Sequence, residues 1–493
     1  MAVKVLSFQL IGIRAQLVEV EVDILAGMSA FTIVGLGDTS IKEAKERVRS
    51  AIKNSALKYP YQKKIVGLSP AHIRKSGTHY DLPVAMGLLA ASKQIPLSTL
   101  NSTAFCGELS LQGELRPVRG VNNFIQLAAR SGIKRIIIPK DNYENEMVNN
   151  IINVIPVSSL KGAIDFLMHG KIDYPSKKAS KLKTLKLPDF AEISGNELAK
   201  RALIIAITGG HHILMVGPPG VGKTMLAKAV RSLLSAPDTK EKLELENIYS
   251  ASNEKTPLPD RPFRHVNSNT TVAALLGAGA NIVPGEITLA HHGILFLDEL
   301  LEFQKQCIEA LRIPLEERHI RISRANQKIT LPANFTMVAG TNLCPCGHYN
   351  DPRKQCTCKP FQVIQYQKKL SGPLKDRIDI FVNVEKQPVQ TYIAPEAFNL
   401  AETRKRIQNA RLIQYERSKK LNNQMTNQTI NQILKANIPV FSTLNEAAEK
   451  LNLSGRQYFK TFKVAQTVAD LENKALSKEH VIEALQYRDS YFL

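Results

Sequence analysis

The sequence predicts an α/β protein: a parallel sheet with crossover helices and a helical C-terminal part, preceded by a separate α+β domain. Three patterns predict it. Residues 1–168 set runs of period two (VLSFQLIG, QLVEVEVDI, RIIIP) among helical ones (SIKEAKERVRSAIKNS, DLPVAMGLLAASKQ). Residues 189–388 repeat strand, loop and helix, the pattern of parallel strands joined by crossovers. Residues 389–493 carry helical segments such as AETRKRIQNARLIQYERSKK and no strand-like run, so they read as a helical lid. Between the first two parts, residues 169–188 (HGKIDYPSKKASKLKTLKLP) are lysine-rich and lack apolar periodicity, which predicts an exposed basic linker.

Composition narrows the class. Hydrophobic residues make up 44% of the 493 and charged residues 22%, ordinary for globular protein with two to four cores. No uninterrupted apolar run reaches the roughly 18 residues of a membrane span. The start, MAVKVLSFQLIGIRAQLVEVEV, alternates like a strand and does not read as a signal peptide, so a cytoplasmic location without membrane contact is expected. The net charge of +21 points to a phosphate polymer as partner, against the plainer reading of a lysine-rich soluble surface.

The sharpest motif follows the apolar run His212–Val216. Gly217-Pro218-Pro219-Gly220-Val221-Gly222-Lys223-Thr224 matches G-x-x-x-x-G-K-[ST] between a strand and a helix. The glycines let backbone N–H groups turn toward phosphates, and the helix N-terminus adds its dipole. Lys223 would reach the β- and γ-phosphates of ATP, and Thr224 would ligate Mg²⁺. Downstream, Gly293-Ile-Leu-Phe-Leu delivers Asp298 at a strand end, placed to hold the Mg²⁺ shell, with Glu299 beside it to polarise the attacking water.

Four of six cysteines form a second cluster: Cys344, Cys346, Cys356 and Cys358. Four thiolates in a short loop suit a closed, structural Zn²⁺ site; reduced unligated thiols and an iron–sulfur cluster are the alternatives. Cys106 and Cys307 sit in apolar or helical settings and read as packing residues.

Order and spacing of these motifs resemble the AAA+ ATPases, and among them the magnesium-chelatase-like ComM (YifB) family over nearly the whole chain. The supporting strings are AKRALIIAITGGHHILMVGPPGVGKTMLA, PGEITLAHHGILFLDELLEF, ALRIPLEERHIRISRA, TNLCPCG, LSGPLKDRIDI and LSGRQYFKTFKVAQTVADL. The resemblance implies that Asn342 is a γ-phosphate sensor, Arg377 an arginine finger entering a neighbouring subunit, and Arg456 the sensor arginine of the lid. A finger acting in trans requires a closed ring, which the family suggests is a homo-hexamer. It also implies two projecting segments, Gly277–Gly285 and a basic hairpin over Arg318–Lys328. The alternation of that hairpin sets Arg318 and Arg324 near its turn, with Arg321 and Lys328 as further candidate contacts to DNA, single-stranded or branched. The leading functional expectation is an ATP-driven helicase or branch-migration motor. A chelatase motor subunit for metal insertion and a protein-remodelling ATPase are the alternatives.

Upstream, CGELSLQGELRPVRG and SGIKRIIIP resemble the proteolytic domain of Lon, with its S5-like α+β fold, and the equivalent domain of RadA. That resemblance asks for a Ser–Lys dyad. His79-Tyr80 stands at the serine position, Asn122-Asn123 at the lysine position, and nearby Ser76 reads as a turn residue, so no peptidase is expected. The segment RPFRHVNSN also departs from the family, which carries a histidine pair after Pro-Phe-Arg.

Overall fold

The computed structural model describes residues 2–143, 152–172, 189–252, 254–279, 282–324, 327–351, 354–388 and 398–492, with only the backbone of Arg324 and Gln327. Most of the expected basic linker, residues 173–188, lies outside them. Two compact units result. The first gathers Met1–Leu182, Leu243–Thr256 and Gly279–Pro284; the second gathers Lys183–Lys242, Pro257–Ala278 and Gly285–Leu493.

The first unit is α+β. Its strands are β1 Val3–Ile11, β2 Arg14–Leu25, β3 Phe31–Val34, β4 Lys63–Ser69, β5 Thr103–Phe105, the short pair β6 Glu108–Leu109 and β7 Leu115–Arg116, then β8 Arg135–Pro139 and β9 Asn153–Val157. A seven-stranded sheet runs β3-β4-β2-β1-β5-β8-β9. β1 lies antiparallel to β2 and β2 to β4, and the β5-β8-β9 side is parallel. Strand alternation builds two cores. Val3 and Val5 of β1 join Val18, Val20 and Val22 under the helix Asp81–Ala91. Phe8 turns the other way and stacks on Phe124 of the helix Val121–Arg130, ring centroids 5.2 Å apart. A Cβ on Gly87 would lie 2.5 Å from Val22 Cγ2, so the apolar helix can approach β2 only with glycine there. The segment Leu243–Thr256 is tied in by Ser250, whose carbonyl accepts from Gly120 N at 2.9 Å.

The second unit holds β10 Ile213–Val216, β11 Phe263–Val266, β14 Ile294–Leu297, β17 Thr336–Thr341 and β18 Ile380–Asn383; β12 Gly277–Ala278 and β13 Val283–Pro284 are a separate two-residue pair. The five longer strands are parallel in the order β11-β14-β17-β10-β18. The runs ILMV and ILFL are buried at every position, as a sheet covered on both faces requires. Between β14 and β17 a hairpin of β15 His319–Arg324 and β16 Gln327–Pro332 projects.

The C-terminal residues are helical as expected. Helix Gly455–Glu472 packs Phe462, Ala465 and Val468 into the core that Ala202, Leu203 and Ile205 of helix Glu197–Gly209 also enter. Buried Asp470 gathers this region: Arg417 Nη1 donates to it at 2.9 Å and Asn422 Nδ2 at 2.8 Å.

One buried histidine in each unit must stay neutral. In the first, His79 Nε2 contacts Phe8 O at 2.7 Å. In the second, His212 Nδ1 accepts from Met337 N at 3.1 Å, which leaves Nε2 as the protonated nitrogen facing Leu315 O. Burial lowers both to about 4 from an ordinary 6.5. Each is a base with a depressed folded pKa, so below pH 6.5 the unfolded chain takes protons that the folded chain refuses. Each histidine's contribution should fall from pH 6.5 toward 4, by up to about 1.4 kcal/mol per pH unit. In the first unit Asp81, which burial raises to about 6, opposes His79, because below pH 6 the folded chain takes up a proton that the unfolded chain does not take until about pH 4. Thermal melts across this range should show the decline in the second unit, and His79→Asn should shift the difference in stability between pH 4 and pH 7 in the first unit in favour of pH 4; a flat profile for the second unit would refute this account.

Candidate functional site

The phosphate loop leaves β10 at the carboxyl edge of the sheet, where ligands of parallel sheets bind. Gly217 N donates to Thr341 O at 3.2 Å on one side. On the other side a Cβ at Gly217 would lie 2.2 Å from Val384 O. The chain then turns through left-handed Gly220 (φ 76°) and Gly222 (φ 98°), and the helix Lys223–Ala229 begins. The sequence therefore folds into the loop because three positions exclude a side chain or demand positive φ.

Lys223 Nζ donates to Gly217 O at 2.6 Å, Pro218 O at 2.9 Å and Asn342 Oδ1 at 3.0 Å. Burial lowers its pKa to about 8, while Asp298 and Glu299 oppose the shift. Thr224 Oγ1 donates to Asp298 Oδ2 at 2.8 Å. A hydroxyl and a carboxylate oxygen this close are hard donors of the kind Mg²⁺ takes, so the pair fits that ion. Bound there, Mg²⁺ would neutralise phosphate charge. Glu299 adopts a left-handed conformation (φ 53°, ψ 52°), unusual for a residue with a side chain and frequent where function fixes backbone. Its carboxylate is a candidate general base toward water, Lys223 is placed where it could meet the terminal phosphate of a bound nucleotide, and Asn342 Oδ1 holds the lysine.

Sequence reasoning missed one neighbour of this site. His265, on β11 opposite Phe296 of β14, stacks on that ring at 4.9 Å and sets Nε2 3.8 Å from Asp298 Oδ2. It belongs to the departing segment RPFRHVNSN. The signal was therefore visible, but placing it beside Asp298 required the strand pairing.

Arg377 and Arg456 lie elsewhere in the same unit. Ser454 caps the helix Gly455–Glu472 and, with Gln457, forms a capping box that sets Arg456 in the first turn. Arg456 Nη1 stands 3.5 Å from Asp376, and Arg377 pairs with Glu316. Both arginines line a cavity of about 490 Å³ together with Arg318, Lys420, Lys460 and Lys463. Neither the phosphate loop nor Asp298 nor Glu299 lines it. Within it, burial pulls Lys460 and Lys463 down. Against burial, His211 and Lys460 hold Asp379 well below the usual carboxylate range.

This corrects the expected place of Arg318. It sits at the base of the hairpin, opposite the turn, because β15 begins at His319 and pairs it with Pro332. Its guanidinium bonds Asn334 Oδ1 and faces the cavity. Arg321 and Lys328 are on the exposed hairpin, with Arg321 Nη2 3.5 Å from Glu317. The Arg324 side chain lies outside the described residues.

The four cysteines converge. Sγ separations are 3.4 Å for Cys344–Cys346, 3.7 Å for Cys344–Cys356 and 3.5 Å for Cys346–Cys356, and Cys358 joins them within 4.8 Å. Tetrahedral Zn–S bonds of about 2.3 Å put sulfurs about 3.8 Å apart, so the set fits that ion. A backbone hydrogen bond from His348 pulls Cys346 down to about 5.

In the first unit Asn123, at the lysine position, and Ser76 and its neighbour Lys75, near the serine position, are otherwise engaged. Asn123 Nδ2 donates to Ile13 O at 2.7 Å, Ser76 Oγ accepts from Gln9 Nε2 at 3.2 Å, and Lys75 Nζ donates to Pro70 O.

Sheet order, phosphate loop and helical lid together define a AAA+ protein of the magnesium-chelatase type. Family comparison agrees: residues 189–392 match magnesium chelatase subunit ChlI, residues 399–488 its C-terminal part, and residues 20–142 subunit ChlI of Mg-chelatase. YifB of Escherichia coli is 38% identical over 97% of this chain and 95% of its own length. Competence protein ComM of Haemophilus influenzae gives the same identity and coverage. An archaeal Lon protease of Archaeoglobus fulgidus is 31% identical over 29% of this chain and 24% of its own. The chain belongs to the ComM/YifB family, with a Lon-like N-terminal domain, and this family implies an ATPase that uses ATP and Mg²⁺.

Glu299→Gln should keep nucleotide affinity and lower turnover on the order of 10²-fold or more, as loss of a general base does. Binding of a fluorescent ATP analogue alongside phosphate release measures both; turnover near the wild-type rate would remove Glu299 from that role.

Proposed function

We propose that the protein is a ring-forming ATPase that couples ATP hydrolysis to movement on DNA, as a helicase or branch-migration motor. One observation carries the ring: the cavity gathers Arg377, Arg456 and Arg318 away from the chain's own phosphate loop. Such a cluster suits an ATP site completed by a second copy docked head to tail. In this reading Arg377 and Arg456 act in trans on one nucleotide. DNA as the track is supported by the net charge of +21, by the exposed Arg321 and Lys328 of the hairpin, and by the word competence in the name of the H. influenzae relative. The family-model match to a chelatase subunit favours metal insertion as the second reading.

Steady-state hydrolysis with and without forked DNA separates the two. Stimulation several-fold, abolished as salt rises, is expected of a DNA motor; an indifferent rate would sink that reading. Mixing inactive variants tests the shared site. Lys223→Ala combined with Arg377→Ala, or with Arg456→Ala, should regain part of the rate, because one variant supplies intact arginines and the other an intact phosphate loop. The pair Arg377→Ala with Arg456→Ala should not recover, and recovery there would place the two arginines at different sites.

The cysteine loop is proposed to hold structural zinc. Purified protein should carry about one Zn²⁺ per chain by elemental analysis, in line with a closed four-thiolate site. Stripping it with a strong chelator should lower the melting temperature of the second unit, while full metal content of Cys356→Ser/Cys358→Ser would disprove these ligands.

A further inference from the structure

The N-terminal unit carries a surface unrelated to the ATP site. Helix Thr39–Asn54 ends beside the loop Lys58-Tyr59-Pro60-Tyr61-Gln62, which leads into β4. Tyr59 is buried and Tyr61 stands 67% exposed, the two rings meeting edge to face at 6.3 Å. Cations surround the pair. Lys53 Nζ lies 5.9 Å from the Tyr61 ring centroid, and Arg49 Cζ lies 5.9 Å from that of Tyr59. Lys58 and Lys63 flank the loop, and Arg49, Lys53, Lys58 and Lys63 are all exposed. None of these four has an ion pair with a carboxylate among the described residues. Glu46 is the acidic group near Tyr59.

The loop is held in this form from inside. Lys64, 1% exposed, sends Nζ inward to Pro60 O at 3.0 Å and Gln62 O at 2.7 Å, and to within 4.9 Å of the Tyr59 ring. Behind it, Gln94 accepts from Lys58 N at 2.9 Å and donates to Lys58 O at 2.7 Å. A buried cation is costly unless its donors are met, and here two carbonyls on either side of Tyr61 meet two of the three. The consequence is a turn that holds one large aromatic ring in water between cations that have no carboxylate partner among the described residues.

We propose that this face binds single-stranded nucleic acid, with Tyr61 stacking on an unpaired base and Lys53, Lys58, Lys63 and Arg49 meeting the flanking phosphates. A planar exposed ring among cations matches a strand whose bases are free, since every base offers a π-face and every linkage a charge. A duplex hides its bases and would use only the charge. The inference takes from the DNA-motor reading the class of partner alone, and adds a binding surface outside the ATPase unit.

The full-length chain is tested with a labelled oligothymidylate and a duplex of equal length, by fluorescence anisotropy over a salt series. Tyr61→Ala should weaken single-strand binding on the order of 5- to 100-fold, as loss of one stacked base does, with duplex binding little changed. Tyr61→Phe, which keeps the ring, should bind like wild type. Lys53→Ala/Lys58→Ala/Lys63→Ala should flatten the log–log salt slope by about 0.7 for each phosphate no longer neutralised. DNA-free hydrolysis and the melting curve, unchanged in each variant, show that it is folded. Crosslinking to an iodouridine strand should map to Tyr61. The proposal is overturned if Tyr61→Ala binds like wild type, if Tyr61→Phe is as weak as Tyr61→Ala, or if the variants lose affinity for acidic phospholipid vesicles and keep it for the strand. Should wild type bind strand and be stimulated by it while the variants match it, only this inference fails. If wild type binds strand through Tyr61 but hydrolysis ignores DNA, only the motor reading fails.

Discussion

A backbone approach with no room for a side chain sits under the whole nucleotide site. Gly217 leaves β10 with Thr341 O accepting its N–H and Val384 O in the space a Cβ would need, 2.2 Å away. That approach is possible because β10 is flanked by β17 on one side and β18 on the other. From it follows the start of the helix at Lys223, and from the helix follow both the ammonium on Asn342 and the hydroxyl on Asp298. Each partner comes from a different strand end, so loosening the turn would carry Lys223 and Thr224 away from Asn342 and Asp298, which stay side by side through the pairing of β14 with β17.

Charge is distributed so that the site is balanced locally and the arginine cavity is not. Around Lys223, two carboxylates oppose the burial that lowers its pKa to about 8. The cavity has six cationic side chains, Arg318, Lys420, Arg377, Arg456, Lys460 and Lys463, against Glu316, Asp376 and Asp379. Surplus charge in a partly enclosed space costs free energy unless an anion enters. A triphosphate brought by a second copy would offset that cost and, by the same interaction, make assembly depend on the nucleotide.

The phosphate loop, Asp298-Glu299 and the four cysteines were legible because backbone geometry or ligand number restricts them to particular residue types at fixed spacing. The helical C-terminal part was legible from period alone. What escaped depended on pairing across the fold. His265 reaches Asp298 only because β11 lies beside β14 in register with it. Arg318 reads as a hairpin-tip cation until the pairing of His319 with Pro332 puts the strand's first residue at the base. The gathering of Lys460 and Lys463 with Arg377 depends on the lid helix docking on the core, which periodicity cannot orient. Likewise the segment Leu243–Thr256 lies within the ATPase half of the sequence, yet it packs with the first unit.

The first unit is where fold likeness and chemistry part. A Ser–Lys dyad needs a free hydroxyl facing an amine, and here Ser76 Oγ receives Gln9, whose Oε1 in turn takes the hydroxyl of Tyr80 at 2.9 Å and the backbone N–H of Ser76 at 2.9 Å. Buried polar groups satisfied by one another stabilise a core. His79, neutral and enclosed by Tyr80 and Phe124, cannot serve as a base toward solvent. These interior groups hold the core together, and the domain also carries a surface of its own. That surface is unevenly built: a buried lysine fixes the carbonyls around Tyr61, and exposed cations lie about it without carboxylate partners among the described residues. An aromatic side chain held in water at such cost of order is explained by a planar, anionic partner better than by packing, since most of the ring covers nothing of its own domain.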